Sequence, residues 1–210
     1  MTGIIAQNVG RTSGLIKAAS GGGVWTLIKT LTSDGSDSDL SFVDGTDDVT
    51  FDSTYPIYLF TYINMHPETD AQEFKVQSST DTGSTYGVTV TNTNWDAYHD
   101  EADSATALMY DGGGDNAQAT RFIGLTASTG SDNDQSTSGH FRLFNPSSTV
   151  FVKHFISASI DCQGGGGDYL AHSMKAGYFN TTSAIDAIQF KFGSGEIQGG
   201  KIKLYGIKDS

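Results

Sequence analysis

The sequence predicts an all-β fold, an antiparallel β-sandwich of jelly-roll-like type preceded by an extended N-terminal arm, on three observations. Its 24 acidic residues include only four Glu (Glu68, Glu73, Glu101 and Glu196), which leaves 20 Asp. Glu suits helix interiors, whereas Asp bonds to its own nearby backbone and favours turns and caps. Gly contributes 26 of the 210 residues, and together with abundant Ser and Thr it supplies turns. Apolar residues also recur with period two, the spacing of a strand with one covered face.

Taken in order, "VWTLIKTL" (24–31) places Trp25, Leu27 and Leu31 on one face, and Leu40 pairs with Phe42 in a shorter run. "IYLFTYI" (57–63) is apolar on both faces, as expected of a central strand covered on each side or lying at a subunit contact. Phe74 and Val76 alternate with Lys75 and Gln77, and Phe141 and Leu143 with His140 and Arg142. In "TVFVKHFISASI" (149–160), Val150, Val152, Ile156 and Ile160 share one face, with Phe151 and Phe155 on the other. Ile188, Phe190 and Phe192, then Ile202 and Leu204 after "GSGEIQGG", resemble a terminal hairpin. Beyond it, a bulge at Gly206 would turn Ile207 inward. Gly, Asp and Ser clusters between these segments favour two packed sheets. The one helical candidate is "WDAYHDEADSATALMY" (95–110), where Ala and acidic residues gather.

A chain of this length fits one domain, assigned to residues 24–210, and buries roughly 70% of its unfolded surface. Residues 1–23 lack a strand-length run but carry Ile4, Ile5, Val9, Leu15 and Ile16. They read either as a frayed end or as an arm whose apolar residues dock on a neighbouring subunit, hinged at "GGG" (21–23). The single cysteine, Cys162, forms no internal disulfide and reads as a small apolar residue. The N-terminus has no charged segment followed by a leader-type apolar core, and no later segment approaches the ~20 apolar residues of a membrane span. A soluble protein made in a cytosol is expected. A formal net charge of −12 argues against nucleic acid as a partner, because a polyanion is bound by neutralising phosphates.

No pattern for catalysis stands out. There is no Gly-x-Ser-x-Gly elbow, since "GSTYG" (83–87) lacks the central Ser. His66, His99, His140, His154 and His172 have no zinc-ligand spacing and read as surface residues. "GGGG" (164–167) lacks the Lys-Ser/Thr of a phosphate loop, and no carboxylate pair suggests glycoside hydrolysis. The expectation is a protein with no catalytic residues and no cofactor. The metal candidates are two acidic loops, "SDGSDSD" with Asp34, Asp37 and Asp39, and "DGTDD" with Asp44, Asp47 and Asp48, either as calcium ligands or as solvated turns. "TNWDAYHDE" (93–101) brings Trp95 and Tyr98 beside Asn94, Asp96 and His99, a combination suited to a sugar ring, a protein contact or a packed core.

The stretches "FDSTYPIYLFTYINMHPETD" (51–70), "SSTDTGSTY" (78–86), "LFNPSSTVFVKHF" (143–155) and "AGYFNTTSAIDAIQFKFGSGEIQGGKIKLYGIK" (176–208) resemble a family of proteins encoded by marine and freshwater tailed bacteriophages, notably cyanophages. The resemblance implies a virion structural protein with a β-sandwich domain, made in the host bacterial cytoplasm, and carries over no functional residues. It leads to the expectation of a capsid decoration or cement protein. Its partners would be further copies of itself, with a trimer favoured, and the major capsid protein or other virion proteins. The alternative is a tail or fibre component that binds host-surface carbohydrate.

Overall fold

In the computed structural model, residues 25–165 and 168–208 are described, and among them there is no helix. The arm residues Ile4, Ile5, Val9, Leu15 and Ile16 lie outside the described residues. Thirteen strands form two antiparallel sheets. They are β1 (Trp25–Thr32), β2 (Leu40–Val43), β3 (Ile57–Pro67), β4 (Phe74–Ser79), β5 (Val90–Asp100), β6 (Thr106–Tyr110) and β7 (Asn116–Ala119). The chain continues through β8 (Ile123–Gly124), β9 (Thr137–Phe144), β10 (Lys153–Gln163), β11 (Tyr169–Phe179), β12 (Ala187–Phe192) and β13 (Ile197–Ile207). The larger sheet runs β1-β13-β3-β9-β10-β11-β5-β6, with β7 also paired to β5, and the smaller runs β2-β12-β4-β8. This is a β-sandwich with sheets of nine and four strands.

Aromatic rings fill the space between the sheets. Phe60 of β3 meets Phe190 of β12 with ring centroids 5.3 Å apart, and Phe42, Phe74 and Phe141 surround the pair at 5.3 to 6.4 Å. Such tilted, edge and stacked contacts add to the gain from burying the rings. β3 is the central strand its sequence suggests: Tyr58, Phe60 and Tyr62 point into the core, and Leu59 on the outer face is also buried. The inward pairs Leu40/Phe42, Phe74/Val76 and Phe141/Leu143 are buried as their alternation indicates.

Several expectations need correction. Residues 95–110 form no helix; they complete β5, turn, and return as β6, with Trp95 opposite Tyr110 and His99 opposite Thr106. The turn is built by Asp100, whose carboxylate accepts from the Ser104 and Ala105 amides, and β5 is held on its other side by the full length of β11. Pairing to two neighbours overrides a weak helical propensity. β12 and β13 are not a hairpin either, because "GSGEIQGG" carries the chain from the smaller sheet to the larger. The residues after β3 make a similar crossing into β4.

Gly206 does not bulge. Its register with Tyr58 is unbroken, so Ile207 stays on the outer face. Gly206 is the inward residue there because the Tyr55 ring covers it, leaving a Cβ only 2.4 Å from ring carbons. β13 shifts register with β3 only near its start, between Ile197 and Lys201, and its partner β1 has a bulge between Leu27 and Lys29. This bulge reverses parity within β1, so Ile28 and Leu31 pack on the core while Trp25 and Leu27 are exposed. In residues 149–160 the apolar parity also points outward, since Ile156 and Ile160 are exposed and Val150 and Phe151 precede β10 in an exposed turn.

Candidate functional site

The outward positions of β10, β11, β5 and β6 form one continuous surface. β10 contributes His154, Ile156, Ala158, Ile160 and Cys162, and register places Ile156 beside Ala176, Ala158 beside Met174 and Ile160 beside His172. Next to them on β11 are Leu170 and Tyr178, and β5 adds Thr91, Thr93, Trp95, Ala97 and His99. β6 closes the edge with Thr106, Leu108 and Tyr110. None of these residues is Asp, Glu, Lys or Arg, in a chain of which 17% is such residues. Leu108 is 74% exposed, Tyr110 65%, and Ile160 and Leu170 53% each.

Carboxylates occur only at the rim. Asp115 accepts from the Tyr110 hydroxyl, and Asp103 lies 3.3 Å from His99 Nε2. An apolar centre edged by polar groups is the composition of a contact surface, and extended exposed apolar patches mark interaction sites. On the β9 side the face continues through His140 and Arg142, where burial and the neighbouring Arg142 charge lower the His140 pKa.

The inner face of the same strands has the reverse chemistry. Ser157, Ser159 and Asp161 of β10, Ser173 and Lys175 of β11, and Asn92, Asn94 and Asp96 of β5 are all buried. Lys175 Nζ donates to Asn94 Oδ1 and lies 3.6 Å from Asp96 Oδ1, and the Tyr62 hydroxyl bonds to Ser159. Burial drives the Tyr62 pKa up to about 12. It also drives Asp161 up to about 6 and lowers Lys175, the latter opposed by the Asp96 charge. Asp161 Oδ2 accepts from the Ser128 amide at 3.3 Å, while Asp161 Oδ1 finds no hydrogen-bond partner among the described residues. This layer is a structural polar core in contact with the loop that covers it.

Trp95 and Tyr98 are not brought together. Strand alternation puts Trp95 and His99 on the outer face and Asn94, Asp96 and Tyr98 on the inner one. Trp95 instead meets His172 with ring centroids 6.1 Å apart, and Tyr98 meets Tyr169 at 5.4 Å. The acidic loops are engaged in turn geometry. Asp34 accepts from the Ser36 amide and hydroxyl, which lowers its pKa, and Asp37 accepts from the Asp34 amide. Asp39 accepts from Ser41, Asp44 from the Phe51 amide at 2.7 Å, and Asp47 pairs with Lys29 at 3.5 Å. Asp48 sits beside Asp47 in the left-handed region, with φ of 68°. Among the described residues no group of three or more His, Cys, Asp or Glu is placed to hold a metal ion.

Reading the sequence alone missed the exposed face, although its signal was present: β10, β11 and β5 each have an outward parity free of formal charge. No family model, curated protein or solved structure matches the chain.

Proposed function

We propose that this chain is a non-enzymatic assembly protein of a phage virion, a decoration or cement protein of the capsid, and that the uncharged face of β10, β11, β5 and β6 is its contact surface. The observation that carries the contact surface is that face, and the place in a phage virion rests on the resemblance of residues 51–70, 78–86, 143–155 and 176–208 to phage proteins. The occupant is a second copy of the chain. Two such faces close on each other without stranding a carboxylate or an ammonium, which an acidic partner would do. Three strands about 36 Å long and a fourth about 17 Å long, spaced about 4.8 Å apart, present roughly 600 Å² in projection, close to the ~800 Å² per partner of a standard stable interface. A face meeting its own copy pairs chains in twos; the trimer favoured from sequence requires the face to meet a different surface of its neighbour.

The test is the number of copies per purified phage particle, by quantitative mass spectrometry against the major capsid protein. Hundreds of copies support decoration of the head. A few to tens move the protein to the tail or fibres, and absence overturns the virion assignment. If residues 1–23 are a docking arm, their deletion leaves a folded domain with reduced occupancy on capsids.

A second reading has one observation in its favour. Trp95 is 40% exposed beside His172 and Tyr110, an aromatic platform on which a sugar ring can stack. A tail component of this kind loses host-polysaccharide binding on Trp95→Ala, whereas Tyr98→Ala, on the opposite face, leaves it unchanged.

A further inference from the structure

The outer face of the smaller sheet carries the opposite feature. Lys75 of β4 and Lys191 of β12 are direct cross-strand partners, and the next position across, on β8, is Gly124. Like charges directly opposite on one sheet face repel, so this pairing is a local cost. Arg121, just before β8, is the third cation in the wall of the same cavity, whose volume is about 340 Å³. Three of the chain's 12 Lys and Arg residues therefore converge on one hollow of a protein whose net charge is −12.

The compensation within the hollow is incomplete. Among the described residues Glu73 is the one acidic residue lining the wall, and it pairs with Lys75 at 2.9 Å. Lys191 Nζ lies 5.4 Å from the centre of the Phe122 ring, a cation–π contact, and among the described residues its three donors have no anionic acceptor. Arg121 is fixed in place by Asn116 Oδ1 and the Gly113 and Asp115 carbonyls, through Nε and Nη2, which leaves Nη1 without a partner among the described residues. Fixing the guanidinium in this way pre-organises it for a ligand. Gly113, Gly114, Gly124 and Gly193 supply much of the remaining wall. The side-chain positions they lack are taken up by neighbours, Asp111 and Asn94 at Gly113 and Gly114, Glu73 at Gly124 and Gln72 at Gly193, so the hollow is the space left between these side chains and the three cations. The volume falls in the range of small-molecule sites, about 300–1,000 Å³.

We infer that this cavity binds a compact oxyanion, a phosphate, sulfate or carboxylate group, held by Lys75, Lys191 and the free edge of Arg121. Charge-assisted bonds from two ammonium groups and a guanidinium suit that chemistry, and Glu73 remains to accept from a hydroxyl carried by the same molecule. Nothing in the inference depends on the role of the uncharged face, and the two fail independently.

The experiment is thermal unfolding of the full chain with sodium phosphate, sodium sulfate or sodium glucuronate, each against sodium chloride at matched ionic strength. A bound probe at about ten times its Kd raises Tm by about 3 °C. Phosphate or sulfate giving the larger rise identifies an inorganic-type group as the preferred ligand, and glucuronate giving it identifies a carboxylated sugar. Lys75→Gln with Lys191→Gln weakens binding at least about tenfold. Lys201→Gln with Lys203→Gln, on the outer face of the larger sheet, leaves it unchanged. Lys191→Gln alone, which disturbs only the contact with Phe122, provides the same test if the double variant does not fold. The inference is overturned if no probe raises Tm above the chloride control, or if the cavity variants keep the full rise.

Discussion

Strands β3 and β10 belong to the same sheet and are separated by β9 alone, yet they turn opposite chemistry to the interior. β3 sends Tyr58, Phe60 and Tyr62 inward. β10, past Phe155, sends Ser157, Ser159 and Asp161 inward and leaves Ile156 and Ile160 outside. What differs is the cover. β3 lies under the smaller sheet, whose inward side chains Phe190 and Phe74 are apolar, whereas the polar end of β10 lies under a loop. The Ser128 amide bonds to Asp161, and the backbones of Gly130 and Cys162 bond to each other. A covering loop brings amides and carbonyls that must find partners, so the strand beneath it needs polar side chains. The smaller sheet has only four strands and cannot cover the inner face of all nine.

The largest expected effect is in the half covered by the smaller sheet. Phe190→Ala removes the ring that Phe42, Phe60, Phe74 and Phe141 pack against and should cost about 3–5 kcal/mol in denaturant unfolding. A cost below about 1 kcal/mol would show that the sheets are not held by this cluster.

In the half covered by the loop, stability depends on pairing instead. Lys175→Met leaves Asp96 and Asn94 buried without their ammonium partner and should cost about 3 kcal/mol. Adding Asp96→Asn to that variant should recover part of the loss, and the double-mutant cycle measures the coupling. Strict additivity of the two substitutions would mean that they do not act as a pair.

Asp161 gives the same region a pH dependence. Its folded pKa is raised to about 6 from 3.8, chiefly by burial, so the folded chain holds the proton more tightly than the unfolded chain. Its contribution is most favourable below pH 4, declines as pH rises from about 4 to about 6, and stays at its lowest above that. At neutral pH the buried carboxylate costs on the order of 2–3 kcal/mol. Asp161→Asn, which keeps an acceptor for the Ser128 amide, should stabilise the protein at pH 7 by up to that amount and flatten the decline between pH 4 and 6. An unchanged pH profile in the variant would assign the dependence to other groups.

This contrast marks the limit of what the sequence can say. Alternation in "TVFVKHFISASI" established a strand but not which parity faces in, because Ile and Ser at alternate positions are compatible with either orientation until the covering element is known. In β1 the bulge between Leu27 and Lys29 has no residue signature, so Trp25 and Leu31 read as one face. At Gly206 the parity did not break; the missing side chain is replaced by the Tyr55 ring, which approaches from residues distant in sequence. The aromatic core was legible because Phe42, Phe74, Phe141 and Phe190 each sit in a short local alternation and Phe60 in a run apolar on both faces. The exposed face was legible only strand by strand, as a charge-free parity in each, because joining those parities takes the register between strands; the cation cavity was not legible, since Lys75 comes opposite Lys191 only through pairing of strands far apart in the chain.

The smallest effect on folding, and the most informative about assembly, comes from the outer face of the half covered by the loop. Ile160 points away from the interior between Ser138 and His172, so Ile160→Asp removes no core packing and should change the stability of a monomer by no more than about 0.5 kcal/mol. If the face is a contact between copies, the same substitution strands a carboxylate in an apolar interface, and the association constant should fall by tenfold or more in sedimentation equilibrium. Tyr205→Asp provides the control, since it lies on the outer side of the same sheet but on β13, away from the uncharged face. A monomeric wild type that loses more than about 2 kcal/mol on Ile160→Asp would show that part of the same chain already covers the face. Repeating the measurement without residues 1–23 would then decide whether they are that cover, because the substitution becomes neutral once the covering segment is gone.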